Sequence, residues 1–309
     1  MHPMTTTDPP TFMGVPVSTV EARGGVTVLG APFDCGPSMH RFGPHLAPFA
    51  IRTASRKLLK ARIDSDRTPL RDLDVRDGGD IDVSLEDHGA SLLAIQTAVK
   101  ELRAGGAVPL VLGGDGSIAL AIMRALRQST EGCAVLHFDA HTDSNPPQPC
   151  RSEAASAFWL AHEEKLIETE ASFHIGLRGP TLTPNSAHLA RELGYRTVTM
   201  EQLLETGFAA CLDDVRRTIA DRPVYICWDM DVFDPSVAPG VFAPNWGGFT
   251  AAQGLWVVRM LSGLRIVAVD INTVSPPHDI DDLTASLAAQ LAFELLFVLP
   301  TRQEDQPDA

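Results

Sequence analysis

Seven short apolar runs, at 26–30, 108–112, 133–139, 172–177, 196–199, 223–229 and 265–271, are rich in Val, Ile and Leu and carry few charges. Strands that are apolar along their whole length, rather than at every second residue, are covered on both faces, as in a parallel sheet. Longer helical patterns lie between them. Leu92, Ile95, Val99 and Leu102 recur at three- and four-residue steps, one face of a helix. Segments 117–127 and 209–220 also read as helices, with Ser117 placed to cap the first. Thr250 is placed to cap a further helix whose Leu255, Val258 and Leu261 share one side. The alternation predicts an α/β protein, a three-layer α/β/α sandwich around a central, mostly parallel sheet.

No internal repeat, linker or composition shift divides the chain, so 25–302 is read as one domain. A polar, Pro- and Thr-rich flexible arm (1–24) precedes it and a polar tail (303–309) follows. The Pro-rich loop over 144–156 follows a strand, where ligands of such sheets bind.

Composition narrows the partners. Hydrophobic residues make up 44% and charged residues 21% of the 309 residues, which excludes a disordered chain. The formal net charge is −14, from 25 Lys and Arg against 39 Asp and Glu. Such a chain repels phosphate backbones, so nucleic acid is not expected, whereas cations and metal ions are suited. The most apolar segment, 283–300, contains Gln290 and Glu294 and ends in Pro300; it reads as a buried helix, with no membrane partner. The N-terminus lacks the basic and apolar regions of a secretory signal. Five scattered cysteines without a C-x-x-C pair read as reduced thiols and a cytoplasmic protein. Cys150, in the Pro-rich loop, has no paired base in sequence and reads as inert.

The chemistry concentrates at two strand ends. In His137-Phe138-Asp139-Ala140-His141-Thr142-Asp143, residues 139, 141 and 143 project together if the extended geometry persists. Asp229-Met230-Asp231 repeats the spacing, and Asp234 follows. Carboxylates crowded at buried strand ends repel and desolvate one another unless a cation sits among them. Carboxylate oxygens with imidazole suit a hard or borderline divalent ion such as Mn²⁺, although other divalent metals fit the same donors. Two ions sharing bridging carboxylates can acidify a water to hydroxide.

These motifs resemble the ureohydrolase family, which includes the arginases and agmatinases. HFDAHTD at 137–143 and WDMDVFDPSVAPG at 228–240 carry the resemblance. GAPFDCG at 30–36, APFAIR at 47–52, GGDGS at 113–117, HIGLRG at 174–179, the glycines 247–248 and DINTVSPPHD at 270–279 support it. The resemblance implies an arginase-like fold, a binuclear manganese site, hydrolysis of a guanidino group, and a homo-oligomer, trimer or hexamer. By position it makes Asp139, His141, Asp143, Asp229 and Asp231 metal ligands, with Asp139 and Asp229 bridging. His141 and Asp231 complete one site; Asp143 serves the other. Asp143 and His141 are the catalytic candidates.

Three positions depart from the family pattern. Gly116 stands where GGDHS supplies a histidine ligand, so the site served by Asp143 loses its imidazole. Ala154 replaces the histidine of a His-Gly-x-x-Phe loop, with Glu153 or His162 as substitutes. Thr273 replaces a glutamate that pairs with the guanidinium, with His278 nearby. A neutral hydrogen bond is weaker than a charge-assisted pair, and the difference costs about a hundredfold in binding. The expectation is one firmly held ion at His141, Asp139, Asp229 and Asp231, and a weak or absent second. Thr273, Ala154, Ser156 and Asn145 are the candidate substrate contacts. The expected function is metal-dependent hydrolysis of a C–N bond in a guanidino, amidine or amide small molecule by metal-bound hydroxide. The alternative is a catalytically silent homologue acting as a binding or regulatory subunit.

Overall fold

A computed structural model describes residues 10–18, 23–35, 41–148 and 153–299. Its strands are β1 (Val26–Gly30), β2 (Val75–Asp80), β3 (Val108–Leu112), β4 (Ala134–Phe138), β5 (Phe173–Leu177), β6 (Arg196–Thr199), β7 (Pro223–Asp229) and β8 (Arg265–Asn272). They form one sheet in the order β2-β1-β3-β8-β7-β4-β5-β6, every pair parallel. Side chains alternate between two apolar layers. Leu110, Leu112, Ile226 and Trp228 face helices Ala47–Ser55, Phe208–Ile219, Ala251–Met260 and Leu283–Val298. Val111, Tyr225 and Cys227 face His88–Ala104, Ile118–Arg127 and Ala157–Glu163. The expected α/β/α sandwich is therefore observed, with both sheet faces buried.

The sequence reading missed β2, because Val75-Arg76-Asp77-Gly78-Gly79-Asp80 carries three charges and two glycines. It ends the sheet beside β1, with Val17 bridged to Asp77 on its outer side, and its Asp77 is neutralised from outside the sheet. The Arg52 guanidinium donates to both Asp77 oxygens at 2.9 Å and also reaches Asp80. The arm expected over 1–24 is not loose throughout. Phe12 and Met13 are buried; the Phe12 amide donates to Asp77 at 2.7 Å and the Met13 amide to Ser55 at 2.8 Å. The tail 303–309 and Cys150 lie outside the described residues.

The C-terminal helix is buried as expected, and its Glu294 is paired with Arg62 at 3.2 Å and Arg259 at 3.3 Å. No helix among the described residues is long and apolar enough to cross a membrane. Thr250 does cap its helix. Its hydroxyl accepts the Gln253 amide at 3.2 Å while the Gln253 side chain accepts the Thr250 amide at 2.8 Å. Thr250→Ala should lower stability by about 1 kcal/mol in urea unfolding; an unchanged midpoint would deny the cap an energetic role. Ser117 makes no cap, contrary to expectation: its hydroxyl turns back to Asp115.

Candidate metal centre

Sheet register builds the centre. Phe138 of β4 lies opposite Trp228 of β7, and Asp229 opposite Asn272 of β8. Asp139, one residue beyond β4, and Asp229, the last of β7, therefore stand side by side at the carboxyl end of the sheet. Ligand sites favour that end in open α/β sheets. Asp139, Asp229 and Asp231 are all buried.

The candidate ligands converge, but not by the extended geometry expected of them. β4 stops at Phe138, and the His141 amide donates to Asp139 Oδ1 at 2.9 Å, which turns the chain. Asp143 then adopts φ +45°, a left-handed conformation. Met230–Val232 is a 3₁₀ turn rather than more strand. Turns thus bring His141 Nδ1 within 3.1 Å of Asp139 Oδ1 and 3.6 Å of Asp231 Oδ2. Asp143 joins Asp139, Asp229 and a residue the sequence reading gave no role, His137. Its Nε2 is 3.2 Å from Asp139 Oδ2 and 3.4 Å from Asp229 Oδ1. The signal was available, since residues i and i+2 of a strand share a face.

Two of the departures lie against the carboxylates. A side chain begun at Gly116 would meet Asp143 Oδ2 at 3.1 Å, Asp229 Oδ2 at 3.3 Å and Ala154 Cβ at 3.5 Å, so positions 116 and 154 do adjoin the carboxylates. His162 lines a separate cleft with Glu163, Lys165, Ile167 and Thr169, and the Glu153 side chain lies outside the described residues. His278 donates from Nδ1 to Ser275 Oγ at 2.9 Å. Thr273, expected to contact substrate, is instead committed to the backbone. Its hydroxyl accepts the Met230 amide at 2.9 Å and donates to Asn272 O at 2.7 Å. Ser156 is buried, and Asn145 donates to Ala155 O at 3.1 Å, leaving its buried Oδ1 without a partner.

Two further residues fix the loops. Asn245 Nδ2 lies 2.8 Å from His141 Nε2, holding the ring so that Nδ1 faces the carboxylates. Arg178 donates to the carbonyls of Gly176, Asp231, Phe233, Asn245 and Trp246 over 2.7–3.2 Å, so one guanidinium pins the turn bearing Asp231 to the loop bearing Asn245. Neither was legible in the sequence, because backbone acceptors leave no residue pattern.

The donor set fits a divalent cation. Asp231 Oδ1 and Asn272 Oδ1, both buried acceptors, have no hydrogen-bond partner. Burial raises Asp143, and the charges of Asp139 and Asp229 add to it, so its carboxyl titrates well above the usual range. Burial followed by Asp139 does the same to Asp231. Burial opposes charge on Asp139 too, but His141 and His137 outweigh it and hold that carboxylate well below the usual range. Burial also disfavours charge on His137, yet hydrogen bonds to Asp139 and Asp229 carry it up to about 10. At neutral pH the cluster therefore holds protons that a divalent ion must displace. Metal uptake should release protons, and affinity should fall as pH falls. Calorimetry in buffers of different ionisation enthalpy measures this; identical heats would sink it.

A family model described as "Arginase family" matches residues 24–298. The chain belongs to the arginase family. Its arginase-family relatives include guanidinopropionase of Pseudomonas aeruginosa, 36% identical over 294 residues, which span 94% of this chain and 91% of that protein. Mitochondrial agmatinase of Gallus gallus is 33% identical over 290 residues, spanning 94% and 85%. Among solved structures, proclavaminate amidino hydrolase from Streptomyces clavuligerus superposes with a TM-score of 0.87 at 34% identity, covering 94% of this chain and 97% of that one.

Proposed function

We propose that this arginase-family chain is a metal-dependent hydrolase of a C–N bond in a guanidino, amidine or amide small molecule, with manganese as its ion. The observation that carries the reading is the convergence of Asp139, His141, Asp143, Asp229 and Asp231 around buried acceptors that lack partners. Oxygen and imidazole donors suit Mn²⁺. One ion belongs with His141, Asp139, Asp229 and Asp231. When bound, it supplies Lewis acidity and lowers the pKa of a water.

The chain's own residues do the rest. Asp143 Oδ2 lies 3.1 Å from where a side chain would begin at Gly116, and it accepts the proton of the attacking water. Asn245 holds the His141 ring. Asn145 Oδ1 is an acceptor for a substrate N–H. With Thr273 turned to the backbone, no carboxylate from that position meets a cationic head group, so the substrate differs from a simple guanidinium in charge or in how it is held. We read the protein as cytoplasmic from its five scattered cysteines without a C-x-x-C pair, and as a homo-oligomer from its family resemblance; light scattering on the eluted protein tests the latter.

The test is urea or ammonia release from a panel of guanidino, amidine and amide compounds with added Mn²⁺. Metal-dependent turnover of one class is the expected result. Silence across the panel with metal bound favours a second reading, a catalytically silent subunit. That reading has its own support in the missing side chains at Gly116 and Ala154.

A further inference from the structure

The two oxygens of Asp139 face two different imidazoles. Oδ1 lies 3.1 Å from His141 Nδ1, and Oδ2 lies 3.2 Å from His137 Nε2. His137 Nε2 is also 3.4 Å from Asp229 Oδ1. An ion with bonds of about 2.1 Å spaces its neighbouring ligand atoms about 3.0–3.4 Å apart, so these separations suit atoms that share one ion. One ligand atom each from His137, Asp139, Asp143 and Asp229 lies within 4.8 Å of the others. On the opposite side, Gly116 offers no donor.

We propose that His137 is the nitrogen ligand of the second metal position, entering from the sheet beneath the carboxylates in place of the side chain that residue 116 does not have. The inference rests on the metal-dependent reading above. Each position then has one imidazole, His141 for the first and His137 for the second, and Asp139 gives one oxygen to each. Gly116 and Ala154, which adjoin the carboxylates, then contribute no ligand atom.

The surroundings of His137 prepare it for this role. Ser144 Oγ donates to Thr142 O at 2.8 Å, so it accepts from His174 Nε2 at 3.2 Å. His174 Nδ1 is thereby the acceptor for His137 Nδ1–H, 2.8 Å away. This chain assigns the tautomer and turns His137 Nε2 toward Asp139 and Asp229, where a cation belongs. Ligating histidines are oriented through their other ring nitrogen in this way. Phe158 lies against the ring with centroids 4.3 Å apart, which fixes its plane.

The test counts ions and their nitrogen ligands in the full-length protein. Mn²⁺ is titrated in, unbound metal is removed by gel filtration, and the retained metal is measured beside the electron paramagnetic resonance spectrum. Two ions per chain are expected, with the spectrum of a coupled pair. His137→Gln should keep one ion and weaken the second at least tenfold, whereas His141→Gln should weaken the other. Adding Gly116→His to His137→Gln should restore the second ion. Pulsed measurements on the unmutated protein labelled with ¹⁵N-histidine should give two distinct imidazole couplings, a result that does not depend on any variant folding. A single ion, two ions indifferent to His137→Gln, or one imidazole coupling would each overturn the proposal. Turnover supported by one ion leaves the proposed function standing and this inference fallen. Two His137-dependent ions with no turnover on the panel give the reverse.

Discussion

Asp139→Ala should strip the protein of bound metal and lower any metal-dependent turnover by at least about a thousandfold, near 4 kcal/mol at the usual free energy per decade. The two oxygens of Asp139 each approach an imidazole, so its loss opens both halves of the centre at once. Asp139→Asn is the stricter comparison, because it keeps the volume and the His141 amide contact while removing the charge. Elemental analysis of the dialysed variants and initial rates on the best substrate measure both effects. Metal retention within tenfold of the unmutated protein would remove Asp139 from the ligand set. The same substitution takes away the carboxylate that sustains charge on His137, so the His137 titration, followed by NMR in metal-free protein, should move down from about 10.

Arg52→Leu should destabilise the fold by about 3–5 kcal/mol, because it leaves Asp77 buried without its counter-charge. Asp77 also accepts the Phe12 and Gly79 amides at 2.7 and 2.9 Å, so it ties the N-terminal segment to the sheet edge. Urea unfolding should show a lower midpoint. Pairing Arg52→Leu with Asp77→Asn should recover part of the loss at neutral pH. A change under 1 kcal/mol would show that water, not the protein, compensates Asp77.

The contrast between β7 and β2 shows what the chain makes legible. Pro223–Asp229 advertises itself, because every side chain in it is buried and nearly all are apolar. Val75–Asp80 hides, because its stability depends on Arg52, a residue 25 positions from Asp77 whose role is visible only in three dimensions. The centre divides in the same way. Asp139, His141, Asp143, Asp229 and Asp231 were legible as a cluster from their spacing, although the turns that assemble them were not. His137 shares a strand face with Asp139 and could have been found by the same periodicity. Asn245 and Arg178 could not, because they act across more than fifty residues on a ring nitrogen and on carbonyls. The partners of the Thr273 hydroxyl were not legible either, since a residue type does not disclose that its hydroxyl faces the backbone.

Thr273 carries a consequence for how such a chain can change. It sits at φ +64°, unusual for a β-branched residue, with its hydroxyl holding the Met230 amide beside Asp231. A glutamate introduced there gains a negative charge but removes the hydroxyl that secures the turn bearing Asp231. Charge at position 273 and the hold on the turn bearing Asp231 are therefore linked through one side chain, so altering the first disturbs the second.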